Sequence, residues 1–80
     1  MSKIHRVQAE WRAPDGSRGR AVRWAGSMAE ARELKREMVA RNAGARPSDV
    51  AYLEDEVEFS KRGVLDFLNS VAEELRPLKD

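Results

Sequence analysis

The chain has no cysteine, which excludes disulfide staples, thiolate metal sites and cysteine nucleophiles. It has one histidine, His5, with no serine or acid at an informative spacing. Acid–base chemistry near neutral pH is thereby left without its usual carrier. No apolar run approaches the roughly 20 residues of a membrane-spanning helix. Met1-Ser2-Lys3-Ile4-His5 also lacks the apolar run that follows the charge in a signal peptide. A cytoplasmic location is the resulting expectation. Glycine-rich phosphate loops are missing too, since Gly16, Gly19 and Gly26 fall in turns and at strand ends. No nucleophile–base pair can be assembled from these residues. The expectation is a protein that is not an enzyme and uses no cofactor and no metal.

Aromatic residues make up only 6% of the chain, and eleven of its apolar residues are alanines. Eighty residues read as one domain, 1–80, near the size at which a core becomes marginal. Bulk must come from Trp11, Trp24, Tyr52, Phe59, Phe67 and the aliphatic side chains. A homodimer that buries further surface fits this shortage. Net charge is +1 but unevenly spread, with +6 over residues 1–46 and −5 over residues 47–80. Such asymmetry marks a nucleic-acid face or two halves that attract each other.

What the chain does have is a clear hairpin between about Ile4 and Ser27. Val7, Ala9 and Trp11 alternate with Arg6, Gln8, Glu10 and Arg12, the period of a half-buried strand. Ala13-Pro14-Asp15-Gly16 suits a type I turn. Arg20–Ala25 alternates again, and the register expected pairs Val7 with Trp24 and Ala9 with Val22, all on one face. The competing register would set Arg6 opposite Arg23, like charge on like charge.

Ser27-Met28-Ala29-Glu30 is a capping box, so a helix is expected from Met28 to Asn42. Its apolar stripe is Met28, Ala31, Leu34 and Met38 with Val39, and Gly44 is its left-handed terminator. Val50–Phe59 reads as a third strand, with Leu53, Asp55, Val57 and Phe59 on one face and Tyr52, Glu54, Glu56 and Glu58 on the other. Ser60 caps a second helix, Lys61–Arg76, which buries Val64, Phe67, Leu68, Val71 and Leu75 and is widened by Leu65 and Ala72. Pro77 stops it. The order ββαβα predicts an α+β two-layer sandwich, a three-stranded sheet with both helices on one face. The other face would then display Arg6, Gln8, Glu10, Arg12 and Arg23 beside Tyr52, Glu54, Glu56 and Glu58.

Two surfaces could carry function. Arg6, Arg12, Arg18, Arg20 and Arg23 cluster on the hairpin, where a β-ribbon could meet phosphates or a major groove. Alternatively Arg6, Arg12 and Arg23 pair with Glu54, Glu56 and Glu58 and cancel that field. Trp11 and Trp24 could stack on bases, but core packing is the favoured role for both. The acidic run lacks the loop geometry and glycine of a calcium site.

Val7-Gln8-Ala9-Glu10-Trp11-Arg12-Ala13-Pro14-Asp15-Gly16, an arginine-rich second strand, and Ser27-Met28-Ala29-Glu30-Ala31 resemble the arm-binding domain of phage-type tyrosine integrases over about residues 6–40. The resemblance implies DNA binding by a sheet face inserted into a groove, pointing to Arg12, Arg18, Arg20 and Arg23. The chain departs from that pattern in placing its third strand after the helix, and it carries no recombinase catalytic domain. A free-standing relative from a phage, plasmid or other mobile element is what the resemblance implies. The alternative expectation is a protein-binding inhibitor or adaptor, of the stand-alone size of anti-CRISPR proteins. It would act through Tyr52, Glu54, Glu56 and Glu58, whose carboxylates could imitate a phosphate backbone. Edge-strand pairing into a homodimer fits either reading.

Overall fold

The computed structural model describes residues 2–75. Strands β1 (Ser2–Arg12) and β2 (Arg18–Ala25) precede helix α1 (Met28–Arg41). A 3₁₀ turn (Pro47–Asp49) then leads into β3 (Val50–Val57) and helix α2 (Lys61–Glu74). The strands form one antiparallel sheet in the order β2-β1-β3. This is the small α+β fold, in the order ββαβα, that the alternation and capping signals predict. The expected end of the second helix at Arg76 and its stop at Pro77 lie outside the described residues.

Local chemistry accounts for the ends of the elements. Ser27 Oγ accepts the amide of Glu30, and the Glu30 carboxylate reaches back to the amide of Gly26, one residue before the cap. At the other end of α1 the Asn42 side chain donates to the Met38 carbonyl, and Gly44 takes φ +93°, the left-handed conformation expected of it. A Cβ at Gly44 would stand 2.5 Å from the Arg12 carbonyl, so the loop also needs glycine to approach the end of β1. Ser60 Oγ caps α2 by accepting the Gly63 amide.

The hairpin register differs from the expected one. Val7 pairs with Arg23, Arg6 with Trp24, and Ala9 with Ala21, one residue away from each register that would gather Val7 and Trp24 on one face. The turn is the cause. Gly16 N donates to Ala13 O, Ala13 N donates to Ser17 O, and Gly16 takes φ +90°. Pro14-Asp15-Gly16 is therefore a three-residue loop, a type I turn closed by glycine in the left-handed region. An odd loop length shifts the pairing by one, and with a side-chain period of two that shift sends Val22 and Trp24 to the opposite face.

The consequence is a different layering. Directly paired residues share a face, so one face carries Val7, Ala9, Trp11, Ala21, Ala25 and Val50. There α1 packs, with Val7, Ala9, Ala25, Ala31 and Met38 buried as one cluster and Met28 and Leu34 against it. The other face carries Arg6, Trp24, Asp55 and Val57, and α2 lies on that side: Phe67 meets the Trp24 ring edge-on at 6.0 Å, and Glu74 pairs with Arg6. The helices thus occupy opposite faces rather than sharing one. Of the α1 stripe Ala31 and Met38 are buried and Met28, Leu34 and Val39 half-buried, whereas on α2 only Val71 is fully buried and Leu65 and Leu68 are exposed. No helix among the described residues is long and apolar enough to cross a membrane.

Candidate nucleic-acid interface

Beyond Ala9 the sheet narrows to the hairpin, because β3 begins at Val50 opposite Ala9. On the α2 side of this narrow end stand Glu10 opposite Arg20 and Arg12 opposite Arg18. The face therefore presents three arginines and one glutamate. Arg20 binds the Glu10 carboxylate at 2.9 Å, and Arg18 approaches the same carboxylate at 3.8 Å. Arg12 donates to the Gly16 carbonyl across the turn, which ties it to the loop and leaves its charge exposed. Arg12 and Arg18 are like charges set directly across the pair, an arrangement that costs stability. A shallow depression lined by Glu10, Trp11, Arg12, Arg18 and Asp49 flanks this end. Asp15 in the loop accepts the hydroxyl and amide of Ser17, which hold its carboxyl below the ordinary range.

Two of the five arginines read as one surface do not belong to this patch. Arg23 lies on the α1 side, paired in register with Val7, and donates to the Val22 carbonyl. Arg6 is buried, at 6% exposure. Its Nε and Nη2 donate to the two oxygens of Asp55 at 2.8 and 2.6 Å, and its Nη1 donates to Glu74 at 3.0 Å and to Gln8 at 3.4 Å. Trp24 Nε1 completes the set by donating to Asp55 at 2.9 Å. The hydrogen bonds that Arg6 donates to Asp55 raise its pKa further, against desolvation. Burial pushes the Asp55 carboxyl up, but the hydrogen bonds from Arg6 and Trp24 and the charge of Arg6 together outweigh it, and the net shift is downward. A guanidinium this enclosed is a structural element and not a phosphate contact. The sequence signal for it was Asp55, the one acid on the apolar face of β3.

The acidic surface is also rearranged. Tyr52 pairs in register with Val7, Glu54 with His5 and Glu56 with Lys3, so these three lie on the α1 side, away from Arg6 and Arg12. The Lys35 ammonium stands 5.4 Å from the Tyr52 ring centre, and Lys3 is 3.9 Å from Glu54. Glu58 falls beyond the end of β3. The expected pairing of Arg6, Arg12 and Arg23 with Glu54, Glu56 and Glu58 is replaced by the contacts described above. With Asp55 turned to the other face, no group of three or more histidine, aspartate or glutamate side chains among the described residues is arranged to hold a metal ion.

Comparison with known proteins adds no relative: the chain matches no protein-family model, no curated protein and no solved structure.

Proposed function

We propose that this protein binds nucleic acid through the narrow end of its β1–β2 hairpin, with Arg12, Arg18 and Arg20 as the phosphate-contacting residues. The observation that carries the reading is the Arg12–Arg18 pair, like charges held directly opposite each other where any neutral residue would relieve the repulsion. A bound polyanion adds countercharge to that pair, beside the Glu10 carboxylate 3.8 Å from Arg18. The narrow end of a two-stranded ribbon has the dimensions to enter a major groove, and the resemblance of residues 6–40 to integrase arm-binding domains favours duplex DNA and a mobile-element setting. Glu10, held between Arg18 and Arg20, fixes the fan of the guanidinium groups. Arg6 and Arg23 are excluded from the contact set by burial and by face.

The test is fluorescence anisotropy on labelled duplex DNA at about 50 and about 200 mM salt, where phosphate-driven binding weakens steeply. Wild type should bind with strong salt dependence. Arg12→Ala/Arg18→Ala should weaken binding and lower the salt slope by about one per lost phosphate contact. Absence of binding at the lower salt, or binding that the double substitution leaves unchanged, overturns the reading.

A second reading places a protein partner on the free edge of β3, where Tyr52 is 40% exposed and Glu54 and Glu56 are also exposed. It makes the protein an inhibitor or adaptor, and the DNA experiment separates the two.

A further inference from the structure

The strand order β2-β1-β3 leaves β2 with one free edge. The turn settles which backbone groups that edge presents. Ala13 N donates to Ser17 O, so these two form a hydrogen-bonded pair, and such pairs recur at every second position of an antiparallel ladder. Gly19, Ala21, Arg23 and Ala25 therefore bond to β1, while Arg20, Val22 and Trp24 turn their N–H and C=O groups outward. The contact from Arg23 Nη1 to the Val22 carbonyl agrees, since it brings a side chain to one of these outward acceptors. An edge of this kind is a template for a further strand.

Beside that edge, between β2 and α1, lies a groove of about 60 Å³. Ala21, Leu34 and Met38 give it an apolar lining, and Arg23, Glu37 and Arg41 bring charge to it. Among the described residues no carboxylate lies within 4.0 Å of a guanidinium nitrogen of Arg23 or Arg41. Glu37 pairs with neither and leaves the groove with positive charge in excess. Elsewhere Arg6, Arg18, Arg20, Arg36, Arg46 and Arg62 each have an acid at ion-pair distance. Two arginines without an acid thus share one groove, and a carboxylate from outside is the group that complements them.

We infer that this groove takes an extended acidic segment of another protein, added as a strand to the free edge of β2. The backbone of the segment meets the outward groups of Arg20, Val22 and Trp24. One of its N–H groups replaces Arg23 Nη1 on the Val22 carbonyl, which frees the guanidinium for a carboxylate. Alternation decides what its side chains meet. On the α1 side they enter the groove, where a glutamate lays its methylene stem over Leu34 and Met38 and carries its carboxylate to Arg23 and Arg41. On the other side they lie beside Val22 and Trp24, where an apolar residue fits. The recognised pattern is glutamate alternating with an apolar residue. The inference stands apart from the DNA reading, because no side chain of Arg12, Arg18 or Arg20 takes part.

Fluorescence anisotropy with a labelled peptide of alternating glutamate and valine tests it. Wild type should bind in the micromolar range, and the matching lysine–valine peptide should not bind. Arg23→Ala/Arg41→Ala changes two exposed positions; it should stay folded by circular dichroism and bind about tenfold more weakly. Amide exchange separates strand addition from charge attraction alone. The Arg20, Val22 and Trp24 amides should gain protection with the peptide, whereas Ala21 and Arg23 are protected without it. Val22→Pro removes an outward N–H while leaving the ladder to β1 intact, and should abolish binding. Equal binding of the lysine peptide, a double variant that binds like wild type, or outward amides that gain no protection overturns the inference. So does loss of duplex DNA binding in the double variant, which assigns the groove to phosphate. Self-association of wild type that Val22→Pro abolishes gives the edge to β3 of a second copy and likewise overturns it.

Discussion

On the α1 side of the sheet Val7 and Ala31 are wholly buried and Ala9 nearly so, a dry contact in which alanines let a helix approach the strands closely. On the α2 side the most buried side chain of the central strand is Arg6, and what surrounds it is an aspartate, a glutamate, a glutamine and an indole N–H. One face is closed by shape, the other by a charged network in which no buried side-chain nitrogen or oxygen among the described residues lacks a partner. Apolar burial is non-directional and tolerant of small shifts. The network is directional, and removing Arg6 or Asp55 leaves the other without its countercharge where solvent access is restricted. The lesson is that the two helices depend on the sheet in different ways. Helix α1 is held by the core, whereas α2 is positioned by Arg6, Asp55 and Trp24 with a part of its apolar surface still uncovered.

The sharpest way to break this contrast is to remove the charge at its centre. Arg6→Met should cost about 3–5 kcal/mol in urea unfolding, the range for stranding one partner of a buried pair. Arg6→Met/Asp55→Leu should recover most of that loss, because two apolar groups in place of a buried pair are often neutral or stabilising. A double variant as unstable as the single one would show that α2 docks through packing alone.

On the opposite face the expected effect is smaller and of a different kind. Ala31→Leu forces a larger side chain against Val7 and should destabilise by about 1–3 kcal/mol through overpacking, without changing the acid sensitivity of the protein. Equal or greater stability would mean that the α1 contact is looser than its burial indicates.

The smallest effect is the acid response. The folded Asp55 carboxyl sits below the ordinary aspartate value of 3.8, so its contribution is fully present above that value and is lost as pH falls through the lower, folded one. Urea midpoints should decline as pH drops below about 4, with a shallower decline in Asp55→Asn than in wild type. An identical acid limb in both would place the acid sensitivity elsewhere.

Much of the fold was legible because its signals are local. The Ser27 and Ser60 caps, the Pro14-Asp15-Gly16 turn, the left-handed Gly44, the α1 stripe and the strand character of β1 and β3 each depend on a few neighbouring residues, and the structure has all of them, although Arg6 is buried beside Val7 rather than alternating with it. The candidate site was legible in part. Arg12, Arg18 and Arg20 do share an exposed surface at the hairpin end, and the acidic run does lie along β3. Arg6 and Arg23 depart from the expectation for different reasons: α2 arrives on the face of Arg6 and buries it, whereas the one-residue register shift carries Arg23, still exposed, to the α1 side. The x-Pro-Asp-Gly-x segment did contain the missing clue, since a three-residue loop with glycine in the left-handed region fixes an odd offset between the strands.

The sequence by itself determined the elements, their order and their ends, because propensity, capping and turn chemistry act over a few residues. Only the tertiary structure decided which side of the sheet each element serves. A strand's two faces are exchanged by a one-residue slip, and no local preference distinguishes them. The choice fell to the turn length together with long-range pairings that no short window contains: Arg6 with Asp55 across β1 and β3, and Trp24 with Phe67 between β2 and α2. These contacts carry Arg6 into the interior and leave Arg12, Arg18 and Arg20 at the exposed end of the ribbon.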